Sequence, residues 1–192
     1  MKNNQKIIYN AGSLFTNAQC KTRKEEGDIL RKMFPELLVE NPADIDINSI
    51  GRPSNKIIFE MGISDLKDAD YVILEIDGWD SGTYMEFGLL VQQAIDNKQK
   101  YLLPVISDFR FKLGILRGEI PGFSLNEMIS GAFYYDKLNQ GDVPQMIVCD
   151  SHESACKAIK AIESGDTKNF KERFDIKNLY LNDSVYHGFK NK

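Results

Sequence analysis

Three carboxylates lie close together in this chain: Asp77, Asp80 and Glu86, within Asp77-Gly-Trp-Asp-Ser-Gly-Thr-Tyr-Met-Glu86-Phe-Gly88. The segment follows the apolar run Tyr71–Ile76 and leads into Phe87-Gly-Leu-Leu-Val91, so it reads as a strand, an acidic turn and the start of a helix. Open α/β sheets bind ligands at such strand-to-helix turns. Asp77 and Asp80 are placed either to accept hydrogen bonds from sugar hydroxyls or to cap the turn locally, with Ser81 as an alternative helix cap. Glu86, in the first turn of a helix expected from about Thr83 to Asn97, is either a carboxylate nucleophile or a simple complement to the helix dipole. Gly88, in the body of that helix, is costly there unless something packs closely against it.

A second turn follows the first expected strand, Lys6–Ala11, in Tyr9-Asn-Ala-Gly12-Ser13-Leu-Phe15. Tyr9 either orients a neighbouring carboxylate or packs in the core. Gly12 and Ser13 lack both the GxGxxG and the GxxxxGK[ST] spacing of phosphate loops. Ser13 and Ser81 have no histidine near them in sequence, which argues against a hydrolytic triad.

The elements that must position these turns alternate. Strands are expected at 6–11, 37–39, 71–76, 101–106 and 146–149, the fourth interrupted by Pro104, which favours a strand end or bulge. Helices are expected at about 17–34, 56–67, 83–97 and 125–133, with a capped final helix after Ser151. The stretch 107–122 reads as a long loop. This rhythm predicts a single-domain α/β fold, a flavodoxin-like three-layer sandwich with a five-stranded parallel sheet of order 2-1-3-4-5. The order reverses between strands one and three, where the two turns would meet. Residues 1–165 would form the domain, and 166–192 an extension packing on it or on a partner subunit.

Bulk properties exclude several classes. A net charge of −4 argues against nucleic acid as a partner. No apolar run approaches the ~20 residues that span a bilayer, and the N-terminus does not read as a signal peptide, so a cytoplasmic protein is expected. Three cysteines without CxxC spacing fit a reduced compartment, and the two isolated histidines give no zinc site. No metal or cofactor is expected.

Together, Ile8-Tyr9-Asn-Ala-Gly12-Ser-Leu-Phe15 and Asp80-Ser-Gly82-Thr-Tyr-Met-Glu86-Phe-Gly88 resemble the nucleoside 2-deoxyribosyltransferase family, whose opening strand is of the type I-Y-x-A-G-x-x-F and whose later signature is D-x-G-T-x-x-E-x-G. Ser107-Asp-Phe-Arg110 and Leu125-Asn126-Glu-Met128 look like later segments of the same family, so the likeness covers about 6–135. The resemblance implies that Glu86 attacks the anomeric carbon of a deoxyribose and that Tyr9 hydrogen-bonds Glu86. It implies that Asp80 binds the substrate beside Gly12, Ser13 and Gly82, and that Phe15 lines the pocket. Asn126 and Met128 would reach into the site of a neighbouring subunit, giving a homo-oligomer with shared active sites. The implied substrates are deoxynucleosides and free nucleobases, in nucleotide salvage. One departure stands out: where the family carries Asp or Asn on the helix before strand three, this chain has Gly62, with Glu60 and Asp65 nearby but out of register. Two other readings stay open, an N-glycosidase that hydrolyses deoxynucleosides or their monophosphates, and a nucleoside-binding protein without turnover. Ser13 has no arginine near it to read a phosphate, which favours transfer.

Overall fold

The computed structural model describes residues 5–45, 51, 53–77, 79–97, 99–108 and 125–177. Phe109 and Arg110, most of the expected long loop and the tail from 178 lie outside the described residues.

Four parallel strands, β1 (Ile7–Ala11), β2 (Leu38–Glu40), β3 (Tyr71–Glu75) and β4 (Tyr101–Val105), form a sheet of order β2-β1-β3-β4. The expected fifth strand is not a ladder strand. Met146–Cys149 runs beside β4 through two isolated parallel bridges, Leu102 to Met146 and Val105 to Cys149. The reason is Pro104. Leu102 N–H donates to the Gln145 carbonyl and Ile106 N–H to the Cys149 carbonyl on this side of β4. The donor midway between them would be residue 104, and proline has none.

Among the described residues, six α-helices cover the sheet: α1 (Asn17–Met33), α2 (Asn55–Asp68), α3 (Ser81–Asp96), α4 (Glu127–Phe133), α5 (His152–Ser164) and α6 (Phe170–Phe174). Their starts are written in local chemistry. Thr16 and Gln19 form a capping box on α1, and Ser54, Asp80 and Ser151 cap α2, α3 and α5. The helix after Ser151 is not the last, because α6 follows and buries Phe170 in the core.

Side chains alternate across a strand, and this alternation divides the core. Tyr9, Ala11, Val72 and Leu74 face α2, α3 and α4 and pack with Leu66, Phe87, Leu90 and Phe133. Ile8, Tyr71 and Ile73 face α1, α5 and α6 and pack with Leu30, Ile159 and Phe170. The same alternation sends Tyr9 and Asn10 to opposite faces.

Beyond the last bridge, the chain turns back along its own sheet. Asp175 Oδ1 accepts from Val148 N–H at 3.1 Å, Ile176 N–H donates to the Val148 carbonyl at 2.9 Å, and Lys177 Nζ donates to the Met146 carbonyl. Asp175 and Lys177 also pair with each other, both buried. Among the described residues, no helix is long and apolar enough to cross a membrane.

Candidate active site

Two turns meet where the strand order reverses. The turn after β1 contributes Gly12, Leu14 and Phe15, and the turn after β3 contributes Asp80. With Gly82, Thr83, Tyr9 and Glu86 they line a small cavity of about 270 Å³. A larger cavity of about 690 Å³ adjoins it and shares Tyr9, Leu14, Pro42 and Glu86. Its remaining wall is mainly apolar and comes from α2 and the segment before it, including Ile45, Ile57, Ile58 and Met61. Glu86 and Tyr9 thus stand where the small cavity, which also carries Asp80 and Thr83, joins the larger one.

Tyr9 Oη donates to Glu86 Oε1 at 3.3 Å. Burial pushes the Glu86 carboxyl up to about 7, with the Tyr9 hydrogen bond opposing the rise and the charges of Asp80 and Asp65 adding to it. Burial, then the Glu86 charge, holds the Tyr9 hydroxyl well above its usual value, so it acts as a donor rather than an anion.

Asp80 caps α3. Its Oδ1 accepts from Gly82 N–H at 2.8 Å and its Oδ2 from Thr83 Oγ1 at 2.9 Å. The helix therefore starts at Ser81, two residues before the expected Thr83, and Ser81 is not the cap. Glu86 consequently sits in the second turn, beyond the free N–H groups of the helix end. Burial outweighs the dipole, and its carboxyl is raised rather than lowered. Gly88 has no close neighbour either: a Cβ there would meet nothing within 4 Å, so close packing does not account for it.

Asp77 accepts from the Ser107 N–H, tying the end of β3 to the end of β4. Trp79 holds a left-handed backbone (φ 55°) and is exposed beside Asp80. Phe15, 79% exposed, borders the smaller cavity at its rim.

Three expected ligands lie elsewhere. Ser13 is buried and lines neither cavity; its backbone N–H supports the Glu75 carboxylate instead. Asn126 caps α4 by accepting from Met128 N–H, and Met128 is 85% exposed. Neither lines either of these two cavities.

Beneath the Gly12 turn, on the other face of the sheet, lies a buried charged layer. Arg23 Nη2 pairs with Glu26 Oε1 at 3.0 Å, and Asn10 Nδ2 donates to Glu26 Oε2 at 3.3 Å. Burial raises both Glu26 and Glu75, and Arg23 opposes the rise in each. Burial, then Arg23, lowers His152 to about 4, so it is neutral at pH 7. A Cβ on Gly12 would lie 2.8 Å from Arg23 Nη1 and 3.2 Å from Glu75 Cβ, so the turn needs glycine to come this close.

Of the residues singled out by the sequence, Glu86, Tyr9, Asp80, Phe15, Gly12 and Gly82 line the small cavity, whereas the apolar wall of the larger one is not among them. The signal was the spacing Ile58, Met61, Gly62, Asp65, which is one face of a helix at i, i+3, i+4 and i+7. No group of three or more metal-ligating side chains that could hold an ion occurs among the described residues.

No protein-family model matches the chain. A Ureaplasma parvum serovar 3 protein, described only as uncharacterized, is 31% identical over 107 residues, or 52% of this chain and 65% of the relative. The match thus spans just under two thirds of the relative's length. A solved structure of a conserved protein from Enterococcus faecalis V583 is similar at a TM-score of 0.45 and 16% identity, covering 88% of this chain and 99% of that one. Neither description names an activity.

Proposed function

We propose that the protein transfers 2-deoxyribose between nucleobases through a covalent glycosyl-glutamate intermediate on Glu86. The observation that carries this reading is the Tyr9–Glu86 pair at the junction of a small cavity bearing Asp80 and Thr83 and a larger apolar one. In this reading the sugar occupies the small cavity beside Asp80, the base occupies the apolar one, and Glu86 faces the bond between them.

A carboxylate nucleophile divides glycosyl transfer into two displacements, each inverting the anomeric carbon, so the product retains its configuration. Glu86 Oε attacks C1′ as the bond to the base breaks. A second base then attacks C1′ and releases Glu86. Tyr9 keeps the carboxylate in place and lowers its proton affinity. Among the described residues no Lys or Arg lines the small cavity, which supports nucleosides rather than nucleotides as substrates. The apolar cavity supports transfer over hydrolysis, since it suits a second base better than water. The reading includes a homo-oligomer in which the exposed Asn126 and Met128 border the site of a neighbouring copy.

Incubation with deoxyinosine, with and without adenine, tests it. Deoxyadenosine formation is the expected result, and hypoxanthine release without an acceptor would reassign the protein as a hydrolase. No product from any of several deoxynucleosides would end the enzymatic reading.

The nucleophile must be ionised, so kcat/KM is expected to rise with pH through about 7. Tyr9→Phe removes the hydrogen bond that lowers the Glu86 pKa and should move this acid limb to higher pH. A hydrogen bond to a charged group is worth about 1.5–3 kcal/mol, so roughly a tenfold loss near pH 7 is expected from this long one. A pH profile with an unmoved acid limb would show that Tyr9 does not tune Glu86.

A further inference from the structure

Gly27 lies in the body of α1, where a glycine is costly unless something comes close to the helix. Here something does. A Cβ at Gly27 would overlap the side-chain nitrogen of Asn41 and lie 3.1 Å from its Cγ. In a helix the carbonyl of residue i faces residue i+4, so the missing side chain opens the Arg23 carbonyl to a donor from outside α1. Asn41, 6% exposed, takes that opening. Its Nδ2 donates to the Arg23 carbonyl at 3.0 Å and to Asp44 Oδ1 at 3.2 Å, and Asn10 Nδ2 reaches its Oδ1 at 3.5 Å.

Asn41 follows β2 and begins a 3-10 turn, Pro42–Asp44, in which Asp44 N–H donates to the Asn41 carbonyl and Ile45 N–H to the Pro42 carbonyl. So short a turn has little stability of its own. Asn41 fastens one end of it to α1, and the Arg31–Asp44 ion pair fastens the other. Pro42, between these two anchors, belongs to the described lining of both cavities, together with Tyr9, Leu14 and Glu86. We infer that Asn41 is a positioning residue of the site: seated in the notch that Gly27 leaves in α1, it fixes Pro42 at the cavity junction and so sets how sugar and base meet at Glu86. The inference rests on the base-exchange reading.

Such a role bears on the reaction more than on binding. Asp80 and Gly82 beside the sugar, and Ile57, Ile58 and Met61 beside the base, are carried by α3 and α2 and keep their places without Asn41. Pro42 governs the alignment of the two halves of the substrate, and a misplacement of about 1 Å at a reacting centre can cost about 100-fold.

The test measures kcat and KM for deoxyadenosine formation from deoxyinosine and adenine, per folded protein by circular dichroism. It compares wild type, Asn41→Ala, Gly27→Ala, the double variant and Gln145→Ala. Asn41→Ala should lose on the order of tenfold in kcat, with KM near the wild-type value. Gly27→Ala keeps every group of Asn41 and in an ordinary helix would stabilise. Here it should show a similar kcat loss, because its methyl group displaces Asn41. In the double variant the two alanines no longer collide, so kcat should equal that of Asn41→Ala rather than fall by the product of both losses. Gln145→Ala is the control for lost stability. It removes three hydrogen bonds of 2.7–2.9 Å, to the carbonyls of Ala94, Asn97 and Lys100, none of which lines either cavity, and its kcat should stay near wild type. An unchanged kcat in Asn41→Ala, losses that multiply in the double variant, or an equal loss in Gln145→Ala overturns the role of Asn41 and leaves base exchange standing. Wild type without exchange removes the base-exchange reading, and the role of Asn41 with it.

Discussion

Glu86→Gln is expected to cut base exchange by on the order of 10⁴-fold or more, since no other described carboxylate at the cavity junction can form the glycosyl intermediate. Glutamine keeps the shape and a hydrogen-bond acceptor for Tyr9 but cannot attack as an anion. The same substitution should stabilise the protein, and the pH dependence of that gain identifies its cause. Folded Glu86 holds its proton up to about 7 against an ordinary 4.5. The folded state therefore binds more protons than the unfolded state between these values, and wild-type stability falls as pH rises through them. At about 1.4 kcal/mol per pKa unit, the gain approaches about 3 kcal/mol above pH 7 and vanishes below about pH 4.5. Urea denaturation at pH 5 and pH 8, beside a product assay, checks both halves. An inactive variant with no stability gain at pH 8 would mean that the ionised carboxylate is not strained by its burial.

Arg23→Met should produce the largest loss of stability. Methionine replaces the apolar stem but removes the cation that opposes the raised pKa of Glu26 and Glu75. Breaking a buried ion pair from one side costs about 3–5 kcal/mol, because the remaining charge has lost its partner. Without Arg23, both carboxyls hold their protons to still higher pH in the folded state. The loss should therefore be full at pH 8 and shrink toward pH 5, as protonation removes the unpaired charge. Because Arg23 lies directly under Gly12, KM should rise as the turn bordering the sugar cavity loosens. Denaturant midpoints across this pH range settle the matter; a loss independent of pH would point to packing instead of charge.

The parts of the site legible in the sequence were those set by short-range rules. An apolar run followed by Asp77–Gly88 marks strand, turn and helix, and alternation along β1 brings Tyr9 to the α3 face. Three features needed three-dimensional context. Asp80, not Ser81, closes the first turn of α3, because its carboxylate reaches both Gly82 N–H and Thr83 Oγ1. That moves Glu86 away from the helix end and exchanges dipole stabilisation for desolvation. The fifth ladder fails because alternate residues of β4 face Met146–Cys149, and Pro104 falls on that side. The α2 wall reads as helix from composition, but which of Ile57, Ile58, Phe59 and Met61 face the cavity depends on how α2 lies on the sheet.

The return of the chain at Asp175–Lys177 bears on how this molecule meets copies of itself. An outermost strand offers unpaired N–H and carbonyl groups that can recruit another chain, with fibre growth as the extreme result. Along Met146–Cys149 those groups are spent within the molecule: the Val148 amide on Asp175, the Val148 carbonyl on Ile176, the Met146 carbonyl on Lys177. A buried charge pair seals this border, so an incoming strand would have to displace both ions before it could pair. On this border, contacts between copies are thereby directed to side-chain surfaces, and this side of the sheet ends inside its own molecule.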